Sequence, residues 1–430
     1  MRLVMSFCVC AAALFGQAVP ASLFAATPEA PWPTFRGPGR TAVSPDTGLL
    51  KQWPEAGPPV AWEAPGAGIG YSSLAIAGGR IFTLGDGSSL APDTDEYLLA
   101  FDQDDGELLW MTKVGPPWES GQPSYYGSRS TPTVDGERVY VLSPHGELVC
   151  CESTTGKELW RKHLKKDLGG KKADGWGYSE SVLIDGDRLI CTPGGTSATM
   201  VALNKLTGEL IWKTSRPEDR GAGHASIVIA SVGGTQVYVQ STGSGPMGVK
   251  ADDGTLLWTY DIDRTTAVIP TPIVRDNLVF FTAGYGRGGA LLKQVPGEGG
   301  IKIEEIYPLN PKLSNRHGGV VLLGDYLYGD SEHSGIPFCA ELMTGEIKWQ
   351  QRGPGRGSAA VVAADGCVYF RFADGTVALI EATPEGPQLR GKFKAPGSGE
   401  RPSWSHPVVV GGMLYLREGD RLLCYDVRAQ

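Results

Sequence analysis

The chain has little charge and few residues of the types that most often carry out chemistry. Only 20% of its 430 residues are charged, it contains six histidines and eight cysteines, and its formal net charge is −8. The acidic balance argues against a general nucleic-acid-binding protein, because such a protein needs a basic face to pair with phosphates. The sequence also has no glycine-rich phosphate loop, nucleophile elbow, acidic calcium loop or zinc-type cysteine–histidine spacing. No enzyme class is therefore marked by a local motif.

A hydrophobic run long enough to anchor the chain in a membrane is also missing. The one long apolar stretch, from Leu3 to Phe15, follows Arg2 and precedes small residues around Ala21 and Ala26. This order is typical of a secretory signal peptide, and the run is shorter than the roughly 20 residues of a membrane-spanning helix. We interpret residues 1–26 as a signal peptide and expect a periplasmic or secreted protein with no membrane span after cleavage.

Turn-forming residues are abundant instead, since the chain contains 60 glycines and 31 prolines. They recur within a repeated phrase whose clearest copy, residues 202–212, reads Ala-Leu-Asn-Lys-Leu-Thr-Gly-Glu-Leu-Ile-Trp. A period of about 40 to 50 residues with several short strands in each unit is typical of a β-propeller blade. Whole or half copies of the phrase end at Trp62, Trp110, Trp160, Trp212, Trp258 and Trp349.

Each full copy predicts a strand, a turn and a second strand. A glycine precedes the tryptophan by four positions, as Gly208 precedes Trp212, and favours a tight hairpin because glycine accepts a positive φ. A small residue stands ten positions before the tryptophan, as at Ala202, and predicts close contact with a neighbour. The tryptophan itself is expected to fill the wedge between adjacent sheets. A further hairpin upstream of each copy brings the unit to four antiparallel strands.

The two ends of the chain predict how the ring closes. The residues from Leu422 to Asp426 match the start of the phrase, and the missing half stands at Pro58 to Trp62. Pairing of these segments would leave the ring without a free end. With degenerate copies at residues 301–307 and 388–394, the count is eight blades. We expect an all-β, eight-bladed propeller over residues 58–430, preceded by an extended leader at 27–57 that packs on the ring.

The phrase resembles the repeat of the pyrroloquinoline quinone (PQQ) family of eight-bladed propellers. One branch of that family contains PQQ-dependent alcohol dehydrogenases, and another contains cofactor-free propellers such as BamB, a lipoprotein of outer-membrane β-barrel assembly. The stretch from Trp32 to Pro38, followed by Gly70 to Ser73, further resembles secreted planctomycete-type proteins with PQQ-like repeats. The resemblance covers about residues 32–430.

Residues that enter the first, innermost strand of each blade should converge at one mouth of the central channel. We take these residues as candidates for binding a ligand or a partner. They are Tyr71, Arg129, Glu180, His224, Arg316, His317, Arg356, Trp404 and His406. The three histidines come from separate blades of a wide ring, so we expect no metal site.

The resemblance implies a test for a PQQ cofactor. Such a pocket needs a stacking aromatic ring, arginines for the carboxylates, a calcium ion with oxygen ligands and a carboxylate base. Trp404 fits the first need, and Arg129, Arg316 or Arg356 fits the second, but Glu180 is the only carboxylate near the mouth. We therefore expect no cofactor, and expect PQQ with calcium only if the protein is a dehydrogenase.

Six cysteines follow the predicted signal peptide. Cys150, Cys339 and Cys424 occupy the small-residue position of their blades, so we interpret them as small buried apolar residues. Adjacent cysteines form a disulfide in the PQQ dehydrogenases, which makes Cys150 and Cys151 a candidate pair. Because successive side chains of a strand point to opposite faces, plain strand residues are favoured here.

The leading hypothesis is a non-enzymatic, BamB-like binding or scaffold module that meets a protein or polymer partner at the cell envelope, and we expect a monomer. The alternative is a quinoprotein alcohol or polyol dehydrogenase. A third class, a propeller that binds or cleaves carbohydrate, draws on Tyr71, Trp176, Trp404 and the three histidines of the mouth.

Overall fold

The structure is a computed structural model that describes residues 32–298, 300–332, 334–399 and 401–429. The predicted signal peptide, residues 1–26, lies outside the described residues. Within them, 32 strands form eight sheets of four strands each, and all strand pairs within the sheets are antiparallel. The prediction of an eight-bladed β-propeller is confirmed.

The strands are numbered along the chain, and β1 (Val60–Pro65) belongs to the last blade. Blade 1 contains β2 (Ala75–Ala77), β3 (Arg80–Asp86), β4 (Glu96–Asp102) and β5 (Leu108–Gly115). Blade 2 contains β6 (Thr133–Asp135), β7 (Arg138–Leu142), β8 (Glu147–Glu152) and β9 (Glu158–His163). Blade 3 contains β10 (Leu183–Asp185), β11 (Arg188–Cys191), β12 (Met200–Asn204) and β13 (Leu210–Thr214). Blade 4 contains β14 (Val228–Val232), β15 (Thr235–Thr242), β16 (Gly245–Lys250) and β17 (Leu256–Thr259).

The second half of the ring repeats this arrangement. Blade 5 contains β18 (Ile273–Arg275), β19 (Leu278–Ala283), β20 (Gly288–Gly297) and β21 (Gly300–Asn310). Blade 6 contains β22 (Val320–Leu323), β23 (Tyr326–Asp330), β24 (Pro337–Glu341) and β25 (Ile347–Gln350). Blade 7 contains β26 (Ala359–Ala364), β27 (Cys367–Phe372), β28 (Thr376–Glu381) and β29 (Gln388–Lys394). Blade 8 contains β30 (Val408–Val410), β31 (Met413–Glu418), β32 (Arg421–Asp426) and β1.

Helix is confined to short segments in the described part of the chain. The α-helix α1 (Leu164–Leu168) follows blade 2, and three single turns of 3₁₀ helix lie at Pro38–Arg40, Pro123–Tyr125 and Pro311–Leu313. None of these helices is long and apolar enough to cross a membrane.

The ring is closed by its two ends, as the sequence predicted. In blade 8, Trp62 of β1 lies opposite Cys424 of β32. The Asp426 N–H donates to the Pro59 oxygen at 2.9 Å, which continues the pairing beyond the strand. Since β1 is the outer strand of a sheet whose other strands come from the C-terminus, main-chain hydrogen bonds hold the two ends together.

The small residue of each phrase lies directly across the strand pair from the tryptophan of its own blade. The pairs include Ala202 with Trp212 and Gly248 with Trp258. A Cβ on Gly248 would overlap the Trp258 indole, so this position has no room for a side chain. The predicted neighbour that demands a small residue is therefore the tryptophan of the same blade.

Each tryptophan ring also reaches the following blade. A Cβ on Gly106 of blade 1 would lie 2.8 Å from the Trp62 ring, and this glycine has a φ of 78°. The same contact with a glycine of the next blade joins Trp110 to Gly156, Trp160 to Gly208, Trp212 to Gly254, Tyr307 to Gly345 and Phe393 to Gly57. In the degenerate copies at residues 301–307 and 388–394, Tyr307 and Phe393 thus take the place of tryptophan.

The turn inside the phrase is longer than predicted. In blade 1, β4 ends at Asp102 and β5 begins at Leu108, so five residues connect them rather than a two-residue hairpin turn. The Gly106 N–H donates to the Asp102 oxygen at 3.1 Å, and the Asp102 N–H donates to the Glu107 oxygen at 2.8 Å. The extra length brings the glycine under the tryptophan of the preceding blade, and a two-residue turn would be too short for this.

The leader, which the structure describes from residue 32 onwards, packs against the innermost strands rather than on the outside of the ring. Trp32 bridges Ile76 of β2, the Pro33 oxygen accepts from Val134 of β6, and Ser44 donates to Ala363 of β26. First strands of neighbouring blades contact one another, which places them at the ring's centre. The leader therefore fills part of the central channel.

Candidate functional site

A cavity of about 230 Å³ lies where the chain enters the first strands of the blades. Of the nine candidate residues, seven line it. They are Tyr71, Arg129, His224, Arg316, His317, Trp404 and His406. The alignment of repeats thus brings residues that enter five blades to one place.

The other two candidates, Glu180 and Arg356, are not among the residues that line the cavity. Glu180 is buried, and its carboxylate accepts from the Thr192 N–H at 2.8 Å. Burial raises the pKa of Glu180 to about 8. It follows Ser179, which does line the cavity, so the alternation of an extended chain turns Glu180 into the blade. Arg356 is exposed.

An aromatic wall surrounds Trp404. The ring of His317 stacks on it with centroids 4.2 Å apart, and the ring of Tyr125 stacks on it at 5.6 Å. Tyr71 lies 5.1 Å from it at a tilt of 41°. Tyr125 belongs to the connection between blades 1 and 2, as Trp176 does to the next connection, and neither stands at a repeated position. The contact between Tyr125 and Trp404 was therefore visible only in the folded structure.

The leader forms the inner end of the cavity through Phe35 and Arg36. Phe35 meets the His406 ring edge-on at 4.8 Å. The buried Arg36 guanidinium donates to the Val320 oxygen at 2.6 Å, and burial lowers the pKa of Arg36 to about 10. Arg40 lies deeper and bonds to main-chain oxygens of blades 3 and 4. The stretch from Trp32 to Pro38 was noted in the sequence, but Phe35 and Arg36 were not among the nine candidate residues.

The charge of the cavity is one-sided. Arg129 is half-buried and donates to the Tyr125 oxygen at 2.6 Å and the Gly127 oxygen at 2.9 Å. The Arg316 guanidinium lies 4.1 Å from the Tyr285 ring centroid. No aspartate or glutamate is among the described residues that line the cavity. Glu332 lies behind the lining and pairs with Arg316 at 3.4 Å, so the site favours neutral groups or a single negative charge over cations.

In blades 1 to 5, a serine or threonine stands two positions after the residue that enters the first strand. The hydroxyl groups of four of these residues accept hydrogen bonds from the main chain of the preceding blade and so form a ladder. The Ser73 N–H donates to Thr131 Oγ1 at 3.0 Å, and the Thr131 N–H donates to Ser181 Oγ at 3.0 Å. Ser226 and Thr271 continue the ladder at 3.0 and 3.1 Å. This repeated serine or threonine is visible in the sequence and could have predicted the ladder. The ladder fixes the position of each entering residue relative to the next blade.

His224 joins two of these entering segments. Its Nε2 lies 2.9 Å from Asp174 Oδ2, and its Nδ1 is in hydrogen-bond contact with Ser179 Oγ. The pKa of Asp174 is lowered to about 2, with His224 as the strongest favourable neighbour, so its carboxylate is ionised and only accepts. Burial lowers the pKa of His224 to about 4. At neutral pH the ring therefore donates from Nε2 to Asp174 and accepts at Nδ1 from the Ser179 hydroxyl.

The three histidines of the mouth make separate contacts with the protein. His406 lies near the main-chain oxygen of His317 at 3.4 Å, and His224 is engaged with Asp174. No group of three or more histidine, cysteine or acidic side chains among the described residues could hold a metal ion.

All six cysteines in the described part of the chain are buried and free. Cys150 and Cys151 are successive residues of β8, and Cys150 lies opposite Trp160. Their placement agrees with plain strand residues, and they lie away from the cavity lining.

The fold and the mouth residues together define a PQQ-like β-propeller whose cavity has aromatic and cationic walls. The profile of the family described as "Outer membrane protein assembly factor BamB" matches residues 94–351, more than half of the chain. This protein belongs to that family.

Individual relatives agree with the family match. The outer membrane protein assembly factor BamB of Shewanella oneidensis is 26% identical over 266 residues, which cover 57% of this chain. The chain spans 61% of the length of that relative. The crystal structure of BamB from Moraxella catarrhalis shares 15% identity and superposes with a TM-score of 0.59 over 86% of this chain and 97% of that one.

The fold is shared with the enzyme branch as well. The quinohemoprotein alcohol dehydrogenase from Comamonas testosteroni shares 13% identity, with a TM-score of 0.61 over 93% of this chain and 81% of that one. At such identity the likeness concerns the fold alone.

Proposed function

We propose that the protein is a binding module of the cell envelope that supports the assembly of outer membrane proteins. The observation that carries this proposal is the family match over residues 94–351, which runs from blade 1 into blade 6. The proposal includes export by the signal peptide at residues 1–26, a periplasmic or secreted location and action as a monomer. Its partner is an envelope protein or polymer rather than a nucleic acid.

The mouth is the face that we assign to the partner. Trp404, Tyr125 and Arg316 lie there, and aromatic and arginine side chains are the types that contribute most to protein interfaces. Contacts within the mouth order this surface, since Arg129 donates to the main-chain oxygen of Tyr125 and the Tyr125 ring stacks on Trp404. A preformed surface of this kind loses little conformational entropy on binding.

Crosslinking in living cells tests the proposal. A photoreactive amino acid at Arg316, in the mouth, should crosslink to a component of outer membrane protein assembly, identified by mass spectrometry. The same group at Lys392, on the exposed outer strand β29, is the matched control and should crosslink much less. Deletion of the gene should also lower outer membrane protein levels. Unchanged levels, with no assembly component crosslinked to the mouth, would contradict the proposal.

We also propose that the protein does not use a calcium–PQQ cofactor. Trp404 and the arginines could meet the flat ring and the carboxylates of PQQ. The calcium ion and the carboxylate base would have no partner, because no described lining residue is acidic and Glu180 points into its blade. The residues present thus fit the aromatic ring and the carboxylates of PQQ but not its calcium ion.

Titration with PQQ and calcium, followed by tryptophan fluorescence, separates this proposal from the alternative of a quinoprotein dehydrogenase. We expect no calcium-dependent complex of one PQQ per chain and no dye-linked oxidation of alcohols. A stoichiometric complex that oxidises an alcohol would establish the alternative instead.

The six tryptophans of the repeated phrase are proposed to lock the ring rather than to bind a ligand. The Trp160 Nε1 donates to the Lys205 oxygen at 3.0 Å in the next blade, and the Trp349 Nε1 donates to the Thr383 oxygen at 2.7 Å. Trp212 and Trp258 donate to the next blade in the same way, so four of the six tryptophans use their polar atom within the ring itself. Replacing one of them should lower thermal stability before it changes any binding at the mouth.

A further inference from the structure

The side chains of Asp174, His224 and Ser179 form a relay from carboxylate to imidazole to hydroxyl at the edge of the cavity. Only 7% of the Asp174 and His224 side chains is exposed, so water competes little for their hydrogen bond. Ser179 and His224 both line the cavity. The three residues come from two connections between blades, and no local sequence motif joins them.

From this geometry we propose that the protein also has an esterase activity, in which Ser179 is the nucleophile, His224 its general base and Asp174 the residue that positions the imidazole. This activity does not depend on the envelope-assembly function. The order of groups is that of a nucleophilic triad, although the two imidazole nitrogens exchange the roles they have in the common serine proteases.

The protonation states support the assignment. Asp174 is ionised and fixes the tautomer of His224, which leaves Nδ1 free to take the proton of the Ser179 hydroxyl. Lys172 and Arg129 face the His224 ring and oppose its protonation, whereas Asp174 favours the imidazolium that forms when Ser179 gives up its proton. The resting ring is thus neutral and able to accept a proton, and Asp174 is the group that stabilises the protonated form.

The reaction balances with water as the second reactant. Ser179 Oγ bonds to the carbonyl carbon of an ester as its proton passes to His224 Nδ1. The carbon–oxygen bond to the alcohol then breaks, and the alcohol leaves with the proton from Nδ1. Water next attacks the acyl-serine, gives its proton to Nδ1 and releases the acid, after which the proton returns to Ser179. The positive charge of Arg129, in the same cavity, favours the oxyanion that forms at each attack.

The cavity limits the substrate class. Its volume of about 230 Å³ is below the roughly 300 to 1,000 Å³ of sites for drug-sized ligands. Tyr71, Tyr125 and Trp404 provide flat apolar surfaces, and no described lining residue is negatively charged. We therefore assign small aryl esters, neutral or with one negative charge, as substrates.

Phenylmethanesulfonyl fluoride, a small aromatic reagent for activated serines, tests the nucleophile directly. Intact protein should gain one sulfonyl group, and peptide mapping should place it on Ser179. The variants His224→Gln and Asp174→Asn should slow this labelling by about 100-fold or more. Labelling that is absent in the folded wild-type protein, or that falls on other serines, would overturn the proposal whether or not any variant folds.

The mouth offers a matched control in the contact between His317 Nδ1 and Ser358 Oγ at 3.1 Å. Ser358 is buried, whereas Ser179 is partly exposed to the cavity. Hydrolysis of 4-nitrophenyl acetate should fall to background in Ser179→Ala and stay within about twofold of wild type in Ser358→Ala. Equal rates in Ser179→Ala and wild type would show that His224, Asp174 and Ser179 serve only to clasp the two blades.

Discussion

Arg40 Nη1 lies 2.8 Å from the main-chain oxygen of Ser181, although the two residues are 141 positions apart in the sequence. The same nitrogen donates to the Ile227 oxygen at 3.0 Å, and Nη2 donates to the Val182 oxygen. The guanidinium thus joins the innermost segments of blades 3 and 4 from within the channel. It makes the leader part of the core of the ring.

The variant Arg40→Met should lower the free energy of unfolding by about 3 kcal/mol, because it leaves buried main-chain oxygens without a donor. Urea denaturation monitored by tryptophan fluorescence measures the loss. Arg428→Met is the control, since the side chain of Arg428 is 62% exposed and its removal should cost less than about 0.5 kcal/mol. Equal effects of the two changes would show that the leader contributes nothing through Arg40.

The variant Gly248→Ala should destabilise the protein by about 1 to 3 kcal/mol, because the added methyl group would overlap the Trp258 indole. Gly175→Ala is the matched control, since nothing lies within 4 Å of a Cβ at that position and its φ is not positive. Thermal unfolding of the two variants compares them directly. A Gly248→Ala protein as stable as the Gly175→Ala protein would contradict the assigned contact between the small residue and its tryptophan.

Stability should fall in acid partly through His406. Burial, together with the nearby charges of Arg36 and Arg371, lowers the pKa of His406 from 6.5 to about 3. The unfolded chain therefore binds a proton at this site between pH 6.5 and 3 while the folded chain does not, so stability is lost as the pH falls through that window. His406→Gln should show a smaller loss of unfolding free energy between pH 7.5 and 4.5 than wild type.

Two other groups affect the same pH measurement. His224, with a pKa lowered to about 4, acts in the same direction as His406. Glu180, with a pKa raised to about 8, acts in the opposite direction, because its folded form keeps a proton that the unfolded form has lost. The comparison of His406→Gln with wild type removes both contributions. Identical pH dependence of the two proteins would contradict the neutral, buried state of His406.

The six cysteines from Cys150 onward should be unreactive in the folded protein. All are buried, and burial raises the pKa of Cys151 and of Cys424 to about 12. Less than one thiol per chain should react with Ellman's reagent in native buffer, and all six should react after unfolding without reductant. Only four reactive thiols after unfolding would indicate one disulfide, and peptide mapping would then test whether it joins Cys150 to Cys151.

The repeated phrase alone was enough to predict most of the architecture. The residues of each copy predict two strands and the turn between them. The half copies at Trp62 and Cys424 predict that the ends of the chain pair, as β1 and β32 do. The length of the turn was misjudged, because it depends on the tryptophan of the preceding blade, which the local sequence of one copy does not contain.

The candidate site was predictable only where it follows the repeat. Tyr71, His224 and Trp404 stand at equivalent positions of their blades, so alignment of the copies placed them at one mouth. Tyr125 belongs to a connection that varies from blade to blade, and Glu180 stands one residue from an equivalent position but on the other face of the chain. The spacing of the repeat predicts neither the path of the loop that contains Tyr125 nor the direction in which the Glu180 side chain points.

The sequence by itself determined the number of blades, their internal pairing and the closure of the ring, because each depends on local alternation and on a period that the chain repeats. Tertiary structure alone decided what fills the channel and which polar groups meet there. Arg36 and Arg40 find their acceptors on blades 3, 4 and 6, and Ser179 finds His224 across a blade boundary. Such contacts depend on the distances between elements that are remote in sequence, and these distances exist only once the ring has closed.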